Sequence, residues 1–132
     1  MRTRKVAPAK ARIHWEKATR FCVAAQAAAQ QEAWDAAVSS AIHAAISMVD
    51  AICVRHLGER VSSDNHDDAV TLLFSIERIP REEREQIAKH YRGLIALKHW
   101  AEYDDRLCTR AESSRALQAA ARMSAKARAW VE

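Results

Sequence analysis

The chain has 132 residues and a formal net charge of +4, with only two glycines, two prolines and three cysteines. This length supports one domain, and so few turn-forming residues disfavour β-sandwiches and barrels, which need a turn about every 8–12 residues. Alanine accounts for 28 residues. Because alanine loses least on entering a helix, the composition predicts an all-α protein.

The apolar pattern and the cysteines disfavour several further classes. No apolar run approaches the roughly 20 residues of a membrane-spanning helix, and the basic N-terminus lacks the apolar region of a signal peptide. Cys22, Cys53 and Cys108 are widely spaced, unlike the close pairs of zinc or redox motifs. We therefore expect a cytoplasmic protein with no membrane segment, no cofactor and no metal.

Helical signals divide the first half of the chain into a tail and two helices. We expect a basic flexible tail over residues 1–8, because Pro8 is the first helix-start signal, and a first helix over about 9–30. Apolar residues every three or four positions predict a second helix over 33–57. Gly58, just beyond that helix, is typical of a helix C-terminus.

The second half of the chain predicts a short helix and a longer one. Ser63 or Asp64 is a suitable N-cap for the short helix, and Pro80 begins a fourth helix that ends near Asp104. Gly93 lies inside this fourth helix, where a glycine is unfavourable. It therefore predicts the close approach of a neighbouring helix.

A capping box predicts the start of the last helix. Thr109 and Glu112 have the required spacing, and helix-forming residues continue to the C-terminus. Four long helices and one short helix with short links favour an antiparallel up-and-down bundle, which we expect as a single domain over residues 9–132. Its flat alanine-lined faces are compatible with a symmetric homodimer.

Charge is unevenly distributed along the chain. Residues 1–20 carry seven basic and one acidic residue, residues 21–105 eight basic and fourteen acidic, and residues 106–132 six basic and two acidic. If the terminal helices lie together, their charges form one positive surface that can meet nucleic-acid phosphates. The residues expected on this surface are Arg12, Lys17, Arg20, Arg115, Arg122 and Lys126. The alternative is an ordinary solvated surface, because no aromatic residues are interleaved for base stacking.

Three segments carry a resemblance to a known family. Residues 41–58, AIHAAISMVDAICVRHLG, with a short loop and His66 before an apolar helix, resemble the second helix and its sequel in HEPN domains, the higher eukaryote and prokaryote nucleotide-binding helical domains. Residues 97–103, LKHWAEY, are similar to the end of the family's fourth helix, and the alanine-spaced run 111–131 to its last helix. The resemblance covers about residues 12–131.

The resemblance implies an antiparallel helical bundle that is often dimeric. Many HEPN members are RNA-cleaving toxins paired with a nucleotidyltransferase-like antitoxin, whereas others lack the nuclease motif and serve as binding or interaction modules. The active members use an arginine, usually followed by a polar residue, and a histidine after four to six residues. In such chemistry the histidine exchanges protons with the reacting oxygens, and the arginine binds the scissile phosphate.

Two arginine–histidine pairs have a suitable spacing, each with five residues in between. Arg84 and His90 lie on the predicted fourth helix, but an acidic residue follows the arginine, and six helical steps place the pair about 240° apart. Arg60 and His66 lie around the loop before the short helix, but an apolar residue follows the arginine. With 21 Lys and Arg and six His in the chain, chance matches are expected.

These departures favour a HEPN-like module, associated with nucleic acid or with a protein partner in a toxin–antitoxin-like setting, without catalysis. The alternative is a metal-independent RNA-cleaving toxin in which one of the pairs acts across a dimer. RNA, a second copy of the chain and a nucleotidyltransferase-like antitoxin are the partners that the resemblance implies.

Three further polar residues lie in apolar or helix-start positions. Asp50 is surrounded by apolar neighbours, and a buried carboxylate must be paired or protonated. It therefore either faces solvent at the edge of its helix or pairs with an arginine or histidine across a seam. His43 on the same helix is expected to be a core or interface group. His66 has the alternative role of hydrogen-bonding the loop at the first turn of the short helix.

Overall fold

A computed structural model describes all 132 residues, most of which are helical. The α-helices are α1 (Ala11–Gln30), α2 (Trp34–Leu57), α3 (His66–Phe74), α4 (Arg81–Ala96), α5 (Lys98–Glu102) and α6 (Arg110–Ala127). Two short strands, β1 (Thr3–Lys5) and β2 (Glu59–Val61), and 3-10 turns at Pro8–Lys10 and Arg128–Trp130 complete the secondary structure. The helical class predicted from the composition is confirmed, with one small sheet in addition.

The central element is α2, which buries thirteen of its residues. It packs against α1 along its length and also contacts α4, α5 and α6, while α6 packs against α4. The buried residues of α1 are all alanines, Ala11, Ala18 and Ala25, spaced by seven residues. Because seven residues make nearly two helical turns, these alanines lie on one side of α1 and let the axis of α2 approach closely.

The same helix corrects the expectation that no segment is suited to crossing a membrane. By length and composition α2 meets that requirement, with a mean hydropathy of 1.7 over its most apolar window. However, 72% of this window is buried inside the protein. The core helix of a protein outside membranes passes the same test, so this feature alone does not indicate a membrane span.

The first residues form a strand and a turn, whereas the sequence predicted a flexible tail over residues 1–8. Strand β1 pairs antiparallel with β2, and Arg4 lies directly opposite Arg60. The N–H of Val6 donates to the carbonyl of Gly58 at 2.9 Å and extends the pairing. Helix-start residues and apolar periodicity are local patterns, so they do not reveal a three-residue strand whose partner lies 56 positions later.

Local capping signals set several helix ends. Gly58 ends α2 in the left-handed conformation, with φ of 67°, as predicted. The capping box of Thr109 and Glu112 at the start of α6 is also confirmed. The short helix begins slightly later than expected, because Asn65 is its N-cap and accepts a hydrogen bond from the N–H of Asp67 at 2.9 Å.

The predicted fourth helix is interrupted near its end. A tight turn, in which the N–H of Leu97 donates to the carbonyl of Leu94 at 3.0 Å, separates α4 from α5. The close helix approach predicted at Gly93 is wrong. A side-chain carbon added at Gly93 would meet no atom of another element within 4 Å.

Candidate functional site

One of the two arginine–histidine pairs lines a common cleft. Arg60 and His66 face a cavity of about 260 Å³ between α2, β2, α3 and α4. We call it the Arg60–His66 cleft. Its other polar residues include Asp50 of α2, Tyr91 of α4 and the loop residues 62–65.

Local structure on both sides of the loop positions this pair. The left-handed turn at Gly58 directs the chain from α2 into β2, which carries Arg60. Asn65 then starts α3 so that His66 is its first residue. Ser63 donates a hydrogen bond to Asp68 at 2.7 Å, which fixes the loop against α3.

Both ring nitrogens of His66 are engaged. Nε2 lies 3.0 Å from Nζ of Lys98, and Nδ1 lies 3.3 Å from the hydroxyl of Tyr91. Because an ammonium group only donates, we assign Nε2 as the acceptor and place the ring proton on Nδ1, which donates to Tyr91. Burial and then the charge of Lys98 lower the pKa of His66, so the ring is neutral at pH 7.

Asp50 contributes a carboxyl group with altered acidity. It forms no ion pair within 4.0 Å and no hydrogen bond, although Arg60 and His66 line the same cleft. Burial raises the pKa of Asp50 to about 6, against the opposing charges of Arg60 and Lys17. Asp50 is half-buried and unpaired, so the structure shows neither of the two expected arrangements, a carboxylate facing solvent or a pair with an arginine or histidine.

The hydroxyl of Tyr91 connects His66 to the interior of the fold. The Tyr91 side chain is almost completely buried, and burial, followed by the charge of Asp50, raises the pKa of its hydroxyl. Tyr91 therefore stays protonated at pH 7. Its hydroxyl oxygen can accept a hydrogen bond from the N–H at Nδ1 of His66, while its O–H can donate a hydrogen bond to a group in the cleft.

Glu102 on α5 partly balances the charge next to His66. Its Oε2 lies 3.9 Å from Lys98 Nζ, and its Oε1 lies 3.6 Å from Nε2 of His43. His43 stacks on Phe21 at 5.3 Å, with 47% of its side chain exposed. His43 is therefore not a core residue, and the alternative that it lies in an interface stays a prediction.

The second pair, Arg84 and His90, does not come together in one site. Arg84 donates to the backbone carbonyl of Phe74 and lies 5.9 Å over its ring, so it joins α4 to the end of α3. His90 is influenced by Arg122 and Lys126 of α6, and burial together with these charges lowers its pKa. The helical geometry that separates Arg84 from His90 was visible in the sequence.

The basic residues of α1 occupy two places. Arg12 lines a cavity where the start of α1 meets the end of the chain. Lys17 and Arg20 line a groove next to Phe21, and Arg20 is bonded to Glu16 at 2.8 Å. These residues do not line the Arg60–His66 cleft.

The basic residues of α6 lie partly against α4. Lys126 Nζ is 3.8 Å from Glu83, and Arg122 acts on His90. Arg115 is exposed. That the six basic residues of α1 and α6 form one positive surface stays a prediction.

Sequence reasoning missed Tyr91 and Lys98 as members of the site, since it placed Tyr91 on a core stripe. The two residues are seven positions apart, which places them on the same side of a continuous helix. The spacing alone does not assign Tyr91 and Lys98 to the site, because the sequence does not show that His66 packs against this side of the helix. No group of three His, Cys, Asp or Glu side chains is placed to hold a metal ion.

Comparison with known proteins adds no relative. No family model, curated protein or solved structure matches this chain. The resemblance to HEPN domains therefore rests on the sequence segments alone.

Proposed function

We propose that this chain is a HEPN-like antiparallel helical bundle that binds RNA at the Arg60–His66 cleft, without cleaving it. The observation that carries the proposal is that Arg60 and His66 line one cleft, with Lys98 in contact with His66. The short links and the packing of α2 against α1 and α6 support the bundle.

The groups of the cleft match the parts of a ribonucleotide. Arg60 has no carboxylate within 4.0 Å, and its side chain makes a single hydrogen bond, to the carbonyl of Val61 at 3.5 Å. Its guanidinium is therefore available to a phosphate, which arginine binds with two parallel hydrogen bonds. Asp50 and Tyr91 offer an acceptor and a donor to a ribose 2′-hydroxyl, the group that distinguishes RNA from DNA.

The state of His66 argues for binding rather than catalysis. A general base needs a free lone pair within reach of the proton that it removes. In neutral His66 the only lone pair is on Nε2, and the ammonium of Lys98 occupies it at 3.0 Å. His66 therefore holds Lys98 and Tyr91 in position at the cleft and does not accept a proton from the substrate.

The test is binding of a short fluorescein-labelled single-stranded RNA, followed by fluorescence anisotropy. We expect Arg60→Ala to weaken binding by about tenfold, which corresponds to about 1.4 kcal/mol. The matched control is Arg78→Ala, because Arg78 is exposed, lies outside the cleft and is not one of the six basic residues expected on the positive surface. Equal affinities of wild type and Arg60→Ala would contradict RNA binding at this site.

A second candidate function is metal-independent cleavage of RNA, favoured by the shared cleft of Arg60 and His66. It requires Lys98 to leave His66, for example toward a bound phosphate. Under the binding proposal, RNA incubated with the protein in EDTA stays intact. Cutting that is lost in His66→Ala and kept in His90→Ala would establish the nuclease instead.

We also propose that the chain forms a homodimer in the cytoplasm and has a nucleotidyltransferase-like antitoxin as a partner. The antitoxin is implied by the family resemblance alone. The dimer is supported by α1, where 45% of Ile13 and 61% of Val23 are exposed despite their apolar character. Sedimentation velocity at micromolar concentration tests it, and a single species of monomer mass would contradict it.

A further inference from the structure

Arg60 also lines a second cavity, which the N-terminal strand helps to form. This cavity has a volume of about 240 Å³ and lies between β1, the first 3-10 turn, α1 and β2. We call it the N-terminal cavity. Its charged and titratable lining residues are Arg4, Lys5, Lys10, His14 and Arg60, with no carboxylate among them.

The pairing of β1 with β2 brings two of these cations together. Arg4 is directly opposite Arg60, and the Cβ atoms of such a pair are about 5 Å apart. Like charges in this arrangement are destabilising unless an anion lies between them. The strand register therefore places two positive charges side by side, and a negative charge between them would be stabilising.

No acidic side chain of the protein forms an ion pair with these cations. Arg4, Lys5 and Lys10 have no carboxylate oxygen within 4.0 Å. The only acidic residue of the two strands is Glu59, which lies opposite Lys5 and whose carboxylate is 3.5 Å from the Thr3 hydroxyl. Glu59 does not line the N-terminal cavity.

The positive charge of this region also acts on His14, in addition to burial. Burial, followed by the charges of Lys17 and Arg60, lowers its pKa. A neutral His14 still has one N–H that can donate to an anion. An anion bound next to it would favour the protonated ring and strengthen the contact.

We propose that the N-terminal cavity binds a phosphate group between Arg4 and Arg60. Phosphate suits this position because arginine pairs with its oxygens through two hydrogen bonds, and lysine adds a point charge. The phosphate belongs either to an RNA strand or to free inorganic phosphate. The RNA case rests on the proposed function, because Arg60 joins this cavity to the Arg60–His66 cleft and one strand then places successive phosphates in both.

The first arm of the test uses inorganic phosphate and thermal unfolding at constant ionic strength, with chloride as the reference. We expect phosphate to raise the Tm of the wild type and of Arg78→Ala, whose arginine is exposed and outside the N-terminal cavity, and to raise the Tm of Arg4→Ala by less than half as much. In chloride alone, Arg4→Ala should unfold no earlier than the wild type, because it removes a like-charge pair. Lys10→Ala, which lies outside the strand, gives a second variant for the same comparison.

The second arm uses the labelled RNA over a range of salt concentrations. We expect Arg4→Ala to weaken binding about fivefold at low salt and to reduce the slope of log K against log salt by about 0.7, the value for one phosphate contact on a single strand. Lys98→Ala tests RNA binding at the Arg60–His66 cleft separately from the N-terminal cavity, because Lys98 contacts His66 and does not line that cavity.

The two arms separate the possible outcomes. An Arg4-dependent shift in either arm supports the phosphate site, and the arm in which it occurs identifies the source of the phosphate. If neither arm depends on Arg4 or Lys10, the inference is overturned, even where Lys98→Ala weakens RNA binding and the proposed function stands. If the wild type binds no RNA but phosphate raises its Tm through Arg4, the proposed function fails and the phosphate site remains.

Discussion

Asp50 is the residue whose protonation links the cleft to the stability of the fold. Burial moves its pKa from an ordinary value of 3.8 to about 6. Between these pH values the folded protein keeps the proton that the unfolded chain has released. The contribution of Asp50 to the free energy of unfolding therefore decreases as the pH rises from about 4 to 6, and it remains low above pH 6.

Replacing Asp50 with Asn should remove this effect. We expect Asp50→Asn to raise the free energy of unfolding at pH 8 by about 3 kcal/mol, because the pKa of Asp50 lies about two units above its ordinary value and each unit corresponds to about 1.4 kcal/mol. The gain should disappear toward pH 4, where the wild-type carboxyl is also neutral in the folded state. Urea unfolding at pH 4, 6 and 8 measures the difference.

The control for this prediction is Asp105→Asn, because Asp105 is exposed. It should change stability by less than about 0.5 kcal/mol at each pH. Four histidines with lowered pKa values act in the opposite direction, since they destabilise the fold as pH falls below about 6.5. Comparing variant with wild type at the same pH cancels their contribution. A constant difference across the three pH values would show that Asp50 is solvated.

At the scale of elements, the two glycines have opposite roles. Gly58 links α2 to β2 with a positive φ, and an added Cβ would lie 3.7 Å from the carbonyl of Val6, an ordinary contact. The cost of a side chain there is therefore conformational. Gly93 is in the interior of α4 with open space around it, so there the glycine itself is unfavourable.

Alanine at these positions should change stability in opposite directions. We expect Gly58→Ala to lower the free energy of unfolding by about 1 kcal/mol, because alanine is strained in the left-handed region. Gly93→Ala should raise it by about 0.5–1 kcal/mol, the difference in helix propensity. Chemical denaturation followed by circular dichroism measures both. A destabilising Gly93→Ala would mean that another chain approaches α4 at this position.

The elements show which parts of the fold are encoded locally. Gly58 and the Thr109 capping box act within a few residues, so the sequence predicted the helix ends that they form. The pairing of Arg4 with Arg60 depends on chain segments brought together by α1 and α2, and no local pattern revealed it. The candidate site divides in the same way, because the spacing of Arg60 and His66 was visible in the sequence, whereas the contacts of His66 with α4 and α5 are tertiary.

At the scale of the whole molecule, the core is distributed unequally between the two longest helices. α2 buries large aliphatic side chains, including the fully buried Ile42, and serves as the common surface for its neighbours. The fully buried residues of α1 are alanines only, its larger apolar residues such as Phe21 are partly buried, and Ile13 is 45% exposed. The stability of a single copy should therefore depend much more on α2 than on the apolar residues of α1.

Truncation of the same residue type on each helix tests this distribution. Ile42→Ala should lower the free energy of unfolding by about 2–5 kcal/mol, because it removes buried methyl groups and leaves a cavity. Ile13→Ala should cost less than about 1 kcal/mol in a monomer, since nearly half of Ile13 is already in water. Urea unfolding at two protein concentrations measures both effects and their molecularity. If Ile13→Ala costs as much as Ile42→Ala and the midpoint rises with concentration, a second copy covers α1, because association stabilises the folded state by mass action.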